Sequence, residues 1–308
     1  MNSPPPGRSY TLFGLTIRSQ IPLPLPAAPA GAAGDVDIVA GAIDLPAEPG
    51  WGYSLVEEGT LLSVEKVGRF LIRDGRHIRV AADAAASERN VLLFLLGSAF
   101  GALLHQRGLM PLHANAIVVD GRAVAFCGHS GAGKSTMAAW FHDRGHPILA
   151  DDVCVIGFDA DGAPLAYPGV PRLRLWRQAL EEFGRVADDY QRSFDALDKY
   201  DVPIEAGSES GPVPLAAVYL LARADEEAQG GTIARLTGVA AVDALVANTY
   251  RGFYLETIGG TAPHLATCVR LAKSVPIFRA DRLWGFDAFA AEAERLDAHA
   301  RSVIQGAR

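Results

Sequence analysis

Over the N-terminal third of the chain, apolar and polar residues alternate in short runs, the two-residue period of half-buried β-strands. The runs are Tyr10 to Ile17, Val36 to Ala40, Gly52 to Val56, Thr60 to Val64, Arg69 to Ile72 and His77 to Val80. Glu58-Gly59, Val67-Gly68 and Asp74-Gly75 separate several of them as turns. Pro22, Pro24 and Pro26 donate nothing to a ladder, so Ile21 to Pro26 predicts an extended edge segment. The Pro-rich residues 1–9 predict no regular structure. Between 87 and 107 the period changes. Leu92, Leu93, Leu96, Phe100, Leu103 and Leu104 form the apolar face of a helix, and Gly108 ends it. Beyond it, Ala116 to Val119 and Arg122 to Cys127 read as a hairpin around Asp120-Gly121. Ile148 to Ala150 and Val153 to Phe158 read as strands, as do Leu215 to Leu221 and Thr232 to Leu236. Helices are expected at Ala240 to Asn248, Pro263 to Ala272 and Ala288 to Ile304, the last as an exposed helix rich in Glu, Arg and Ala. The pattern divides the chain into a mostly β module, 1–86, and a mixed α/β domain, 87–308.

Composition narrows the classes. The chain has 308 residues, 49% hydrophobic and 20% charged, enough for a sizeable core. A net charge of −7 gives no overall attraction to a phosphate backbone, so nucleic-acid binding is not favoured. Cys127, Cys154 and Cys268 are odd in number and widely spaced, which suits reduced, buried thiols and neither a disulfide framework nor a zinc site. The N-terminus has no apolar signal region, and the longest apolar run, Val91 to Leu104, is short for a membrane span and contains two glycines. The expectation is a cytoplasmic protein without a membrane anchor.

One segment carries chemistry. Gly128-His129-Ser130-Gly131-Ala132-Gly133-Lys134-Ser135 satisfies G-x-x-x-x-G-K-S/T, between an apolar strand (Ala123 to Cys127) and a helix that opens Thr136-Met137-Ala138. Strand, glycine loop and helix together make a phosphate site. Glycines let main-chain N–H groups turn inward, and the helix N-terminus adds positive potential. Gly128, Ser130, Gly131, Ala132, Gly133 and Thr136 line such a site. Lys134 reaches the β- and γ-phosphates of a nucleotide, and the Ser135 hydroxyl binds Mg²⁺.

A second group follows 17 residues after Lys134: Asp151-Asp152, at the end of the strand Ile148 to Ala150. Phosphoryl transfer to a hydroxyl needs a carboxylate on the metal and another toward the acceptor, and adjacent aspartates at a strand end divide those tasks. Alternatively the pair is a solvated turn or a helix cap. His113 precedes the hairpin; it matters only if the hairpin carries it over the phosphate loop. Arg172 and Arg174 alternate with Leu173 and Leu175, so one strand face presents two cations to a nucleotide or peptide, or is simply an exposed face. Lys199 is a weaker candidate of the same kind.

The elements Leu112-His113-Ala114-Asn115-Ala116, the Gly128 to Ser135 loop, Arg144-Gly145-His146 and Leu149-Ala150-Asp151-Asp152 together resemble the catalytic domain of the HPr kinase/phosphorylase family, over roughly residues 110–158. The resemblance implies a fold related to phosphoenolpyruvate carboxykinase, with ATP and Mg²⁺ as cofactors. It implies that Ser135 and one of the two aspartates hold the metal, that the other is the base toward a serine hydroxyl (Asp151 as base and Asp152 on the metal is the first choice, the reverse staying open), and that His113 lies near the transferred phosphate. The family's phosphorylase stretch, L-E-I/V-R-G-x-G, is absent, and Tyr167 to Trp176 stands in its region. The N-terminal module also departs from that of the true HPr kinases, which are hexamers, so a homo-oligomer is an expectation of the resemblance only. The chain is more similar to the HPr-kinase-like proteins of lasso peptide biosynthesis. That similarity rests on Tyr10 to Leu15 (a Tyr-x-x-Phe/Tyr-Gly-Leu opening), Arg107 to Ala114, Gly169 to Leu173 and Val275 to Arg279. It implies an ATP-dependent serine kinase acting on a precursor peptide or small protein. An HPr-type protein kinase, a small-molecule kinase and a non-kinase nucleotide-binding regulator are the other classes the residues allow.

Overall fold

A computed structural model describes residues 7–45, 51–204, 211–225 and 227–306. The chain forms two compact units. The first holds residues up to Pro111 together with Ser193–Leu197 and Arg251–His264; the second holds Leu112–Arg192, Asp198–Tyr250 and Leu265 onward.

The first unit is a seven-stranded sheet of β1 (Arg8–Leu12), β2 (Leu15–Ser19), β3 (Val36–Ala40), β4 (Trp51–Val56), β5 (Gly59–Val64), β6 (Gly68–Arg73) and β7 (His77–Ala82), in the order β1-β2-β3-β7-β6-β5-β4. Two expectations change at its start. Of the Pro-rich N-terminus, Arg8 and Ser9 pair with Ser19 and Arg18, while residues 1–6 lie outside the described residues. The single run Tyr10 to Ile17 is a hairpin. Phe13 (φ 53°) and Gly14 (φ 74°) both take left-handed backbone, as a two-residue hairpin turn requires. The turn shifts the alternation by one position, from buried Tyr10 and Leu12 to buried Leu15 and Ile17, and the apolar, buried Phe13 fills the break so that the run reads as continuous. The prolines behave as an edge: Thr11 N–H donates to Pro26 O at 2.9 Å.

The helical stretch is α1 (Glu88–Phe94) and α2 (Phe100–Gln106), joined by a π-helical turn at Leu95–Ala99 whose five residues are all buried. This stretch belongs to the first unit, so the boundary falls at Pro111 and not at 86. The reason is local. Tyr53 on β4 donates to Ser98 O at 2.9 Å, and Gln106 donates to Tyr254 Oη at 3.1 Å, whose hydroxyl also bonds Thr60 on β5. That tyrosine opens a short helix, α6 (Tyr254–Thr257).

The chain passes from the first unit into the second within β8 (Met110–Leu112), and the second unit is built on a larger sheet. Its strands after β8 are β9 (Ala114–Val119), β10 (Arg122–Cys127), β11 (Ile148–Ala150), β12 (Cys154–Phe158), β13 (Pro164–Tyr167), β17 (Val213–Arg223), β18 (Thr232–Leu236) and β19 (Ile277–Arg282). β17 is the spine. Its first residues pair with β13, and the rest lies parallel to both β10 and β19, with Phe126 beside Tyr219 and Tyr219 beside Phe278. A separate three-stranded sheet consists of β14 (Arg172–Trp176), β15 (Gln191–Arg192) and β16 (Lys199–Pro203). The remaining helices are α3 (Lys134–Asp143), α4 (Arg177–Glu182), α5 (Gly238–Ala247), α7 (Thr261–Ser274) and α8 (Phe286–Gly306). The unit is mixed α/β, as the pattern predicts.

α8 is not an exposed helix. Glu292, Ala293, Leu296, Ala300 and Ile304 are buried along one stripe, and the last four join Phe126, Phe141 and Tyr219 in a single core. Its other charged residues lie off this stripe, so composition alone conceals it. Among the described residues no helix is long and apolar enough to cross a membrane.

Leu296→Ala is expected to lower the unfolding free energy by about 2–5 kcal/mol, as for other leucines removed from a closed core. Glu294→Ala, on the exposed face, is expected to change it by less than about 0.5 kcal/mol. Urea titrations of both variants check the pair; equal effects would place α8 outside the core.

Candidate active site

β10 ends at Cys127, and the chain turns through the glycine loop into α3, whose first residue is Lys134. Gly128 (φ 143°) and Gly133 (φ 79°) adopt backbone that side chains resist. At Gly128 a Cβ would also lie 2.8 Å from Leu221 O on β17, so the loop needs glycine there on two grounds. The turn aims two carbonyls inward, and the Lys134 ammonium donates to both, at 2.7 Å to Gly128 O and 3.1 Å to His129 O.

The same ammonium lies 3.1 Å from His113 Nε2. The hairpin of β9 and β10 therefore does carry His113 to the phosphate loop. The side chain of Asn115, two residues further along β9, donates to Lys134 O. Burial is the main cause that lowers the pKa values of both His113 and Lys134. The Asp152 carboxylate acts in the opposite sense on each. A neutral His113 accepts from the ammonium through Nε2, which leaves the Nδ1 proton for Asp152 O at 3.1 Å.

The strand β11 delivers the two aspartates and then breaks. Asp152 takes φ 71°, and this left-handed residue lets two adjacent carboxylates serve one site. Both are largely buried. The structure pairs Ser135 with the first of them: its hydroxyl donates to Asp151 Oδ1 at 2.9 Å, and the Arg174 N–H donates to Oδ2 at 2.7 Å. Of the two aspartates, it is Asp151 that Ser135 meets directly. Asp152 Oδ2 instead accepts from the Arg174 guanidinium at 2.7 Å, and Oδ1 lies 3.7 Å from His113 Nδ1. Burial pushes the Asp151 carboxyl up. The same burial acts on Asp152, but Arg174, Lys199 and His113 outweigh it and hold that carboxyl well below the usual range.

Arg172 and Arg174 are not an exposed strand face. Leu173 and Leu175 enter the core, and the alternation turns both arginines the other way. Arg172 pairs with Asp201, directly across the ladder from Arg174, which lies 3.6 Å from the same carboxylate. Burial and the Arg174 charge bring Arg172 down to about 10. Lys199, on the neighbouring strand opposite Trp176, acts electrostatically on both aspartates. Ser130 and Gly131 are exposed on the outer side of the loop, while Ala132 is buried and its carbonyl accepts from Arg282.

Two site residues escape sequence reasoning. Asp201 has a usable signal, the alternation of Lys199 and Asp201 on a strand paired with the arginine strand. Arg282 arrives at the end of β19, 150 positions from its partner Ala132, and nothing local marks it.

The donor set fits a hard cation. Ser135 and Asp151 offer only oxygen, and among the described residues no cluster of three His, Cys, Asp or Glu side chains forms a dedicated metal cage. Mg²⁺ bound with nucleotide typically takes one or two side-chain oxygens and fills its octahedron with phosphate and water.

No family model matches the chain, and no curated protein matches it. Among solved structures it is similar to the Hpr(Ser) kinase/phosphatase from Coxiella burnetii, at 12% identity and a TM-score of 0.33. The match covers 62% of this chain and 97% of that one.

Because burial lowers the His113 pKa from 6.5, the unfolded chain binds its proton first as pH falls. The stability that this neutral histidine contributes is complete above about 6.5 and is lost as pH drops through that value. His113→Gln is expected to flatten the decline of the urea midpoint between pH 7 and pH 5.5, and an unchanged slope would contradict a neutral, buried His113.

Proposed function

We propose that the chain is an ATP-dependent, Mg²⁺-requiring serine kinase whose acceptor is a small peptide. The observation that carries this reading is the convergence on one loop of the buried Lys134 ammonium, the Ser135–Asp151 pair and a second, arginine-held carboxylate beside His113. A site that only bound nucleotide would leave that second carboxylate without a task, whereas transfer to a hydroxyl gives it one.

In this reading the loop N–H groups and Lys134 bind the phosphate oxygens, and Ser135 and Asp151 hold the metal. Bound Mg²⁺ neutralises charge on the β- and γ-oxygens. Asp152 orients the serine hydroxyl and takes its proton as the new O–P bond forms and the bond to the β-phosphate breaks. Arg174 keeps Asp152 ionised and pointed. Its low pKa makes it a weak base, which phosphoryl transfer tolerates, because the transition state asks more for positioning than for basicity. These roles reverse the first choice from the family resemblance, in which Asp151 is the base. The reason is that Ser135 bonds Asp151. His113, neutral, fixes the direction of the Lys134 ammonium without adding a second positive charge. Arg172 and Lys199 stand ready for an acidic or polar acceptor segment. The absent phosphorylase stretch supports a peptide acceptor over HPr, and a lasso-type precursor peptide is the specific substrate we favour.

Two measurements test this. With γ-labelled ATP, Mg²⁺ and serine-containing precursor peptides, the wild type is expected to transfer label to peptide. Lys134→Ala and Asp152→Asn should each reduce kcat/KM by about 10²–10³-fold. Release of free phosphate alone, at the same rate in wild type and Asp152→Asn, would leave a nucleotide hydrolase and no kinase. For the division of roles, Asp151→Asn is expected to raise the Mg²⁺ concentration needed for half-maximal rate at least about tenfold, while Asp152→Asn leaves it unchanged. The opposite result would restore Asp152 as the metal ligand.

A further inference from the structure

Beside the phosphate loop lies a cavity of about 230 Å³ that the proposed reaction does not use. Gly131, Gly133 and Thr136 of the loop and its helix line it together with Trp176 and Trp284. Both tryptophans are far more exposed than their size leads one to expect, at 44% and 52%, while Phe286 and Phe289 from α8 add further apolar wall. The volume falls short of the roughly 300–1,000 Å³ of a typical ligand pocket and suits one flat ring system. Each tryptophan carries a cation near its ring, Lys199 at Trp176 and Arg223 at Trp284, both 5.9 Å from the ring centroid.

Arg282 lines the same cavity. It is 3% exposed, donates to Ala132 O, and abuts Gly133 closely enough that a Cβ there would lie 3.3 Å from its Nη2. Its Nε is buried and has no hydrogen-bond partner. An orphaned guanidinium N–H is costly unless a ligand supplies the acceptor.

The position along the loop decides what the ligand is. Lys134 and Ser135 serve the terminal phosphates, so Thr136 and the outer glycines face the end of the nucleotide nearer the sugar. The next group beyond that end is the base. We infer that this cavity, lined by Trp176 and Trp284, is the nucleobase site. The base stacks on indole, and Arg282 Nε donates to an acceptor on the adjoining nucleoside or α-phosphate. The exposed Gln178 at the rim offers both a donor and an acceptor to the base edge. This inference rests on the reading of Gly128–Ser135 as a nucleotide loop, and it does not depend on which acceptor is phosphorylated.

Calorimetric titration with Mg·ATP and with Mg·tripolyphosphate separates base from phosphate. Stacking on an aromatic ring is worth enough that Trp176→Ala and Trp284→Ala are each expected to weaken ATP about five- to hundredfold. Tripolyphosphate affinity should stay unchanged, which also reports an intact loop and fold. Replacement by Phe should restore most of the ATP affinity. Wild-type binding of ATP that neither alanine variant weakens would overturn the inference, as would equal weakening of both ligands. If the wild type binds neither ligand, the phosphate-loop reading falls and this site with it. If binding behaves as expected but no peptide is labelled, the base site stands and the kinase reading alone fails.

Discussion

The burial of one ammonium group organises this site. Lys134 is only 7% exposed, and a cation withdrawn from water is tolerated only where fixed acceptors surround it. Two of its acceptors are main-chain carbonyls of the loop it follows, and the third is an imidazole that must be uncharged. Each requirement propagates outward. Carbonyls can point at the helix start only if the loop turns tightly, which explains the left-handed glycines. A neutral His113 needs burial, and burial is what lowers its pKa. The carbonyl of Lys134 is itself held by Asn115 on that strand, so the hairpin and α3 are tied at both ends of a single residue.

The opposite wall is a matter of charge compensation. Two adjacent carboxylates in a buried place repel, and their environments drive them apart: Asp151 upward through desolvation, Asp152 downward through Arg174. A pair split in this way supplies two chemically distinct groups from one dipeptide. Asp201 completes the balance by facing both arginines, so the strand pair β14 and β16 holds an alternating lattice of charge and not a bare cationic face.

Much of this was legible in the residues, and the failures have identifiable causes. The strands of the first unit follow period-two alternation closely, because one face of each is buried and the other is not. The hairpin at Phe13-Gly14 escaped because its first turn residue is apolar and buried, which hides the one-position shift in alternation between Leu12 and Leu15. The buried stripe of α8 escaped because its polar face is so rich in charge that composition masks the periodicity. The phosphate loop, His113 and the aspartates were visible as local motifs with known chemistry. Their mutual geometry was not, since which aspartate meets Ser135 depends on a single left-handed residue. Arg282 and Asp201 reach the site through long-range pairing of strands, and spacing along a chain carries no record of that.

The strand β14 has a consequence for how this protein tolerates change. Leu173 and Leu175 close the core while Arg172 and Arg174 close the site, and the two sets belong to opposite faces of the same five residues. A slip of one position against β16 would exchange the faces, placing guanidinium groups in the core and leucines beside the aspartates. Core and site are therefore gained or lost together at this strand, and a chain that misaligns it forfeits stability along with activity.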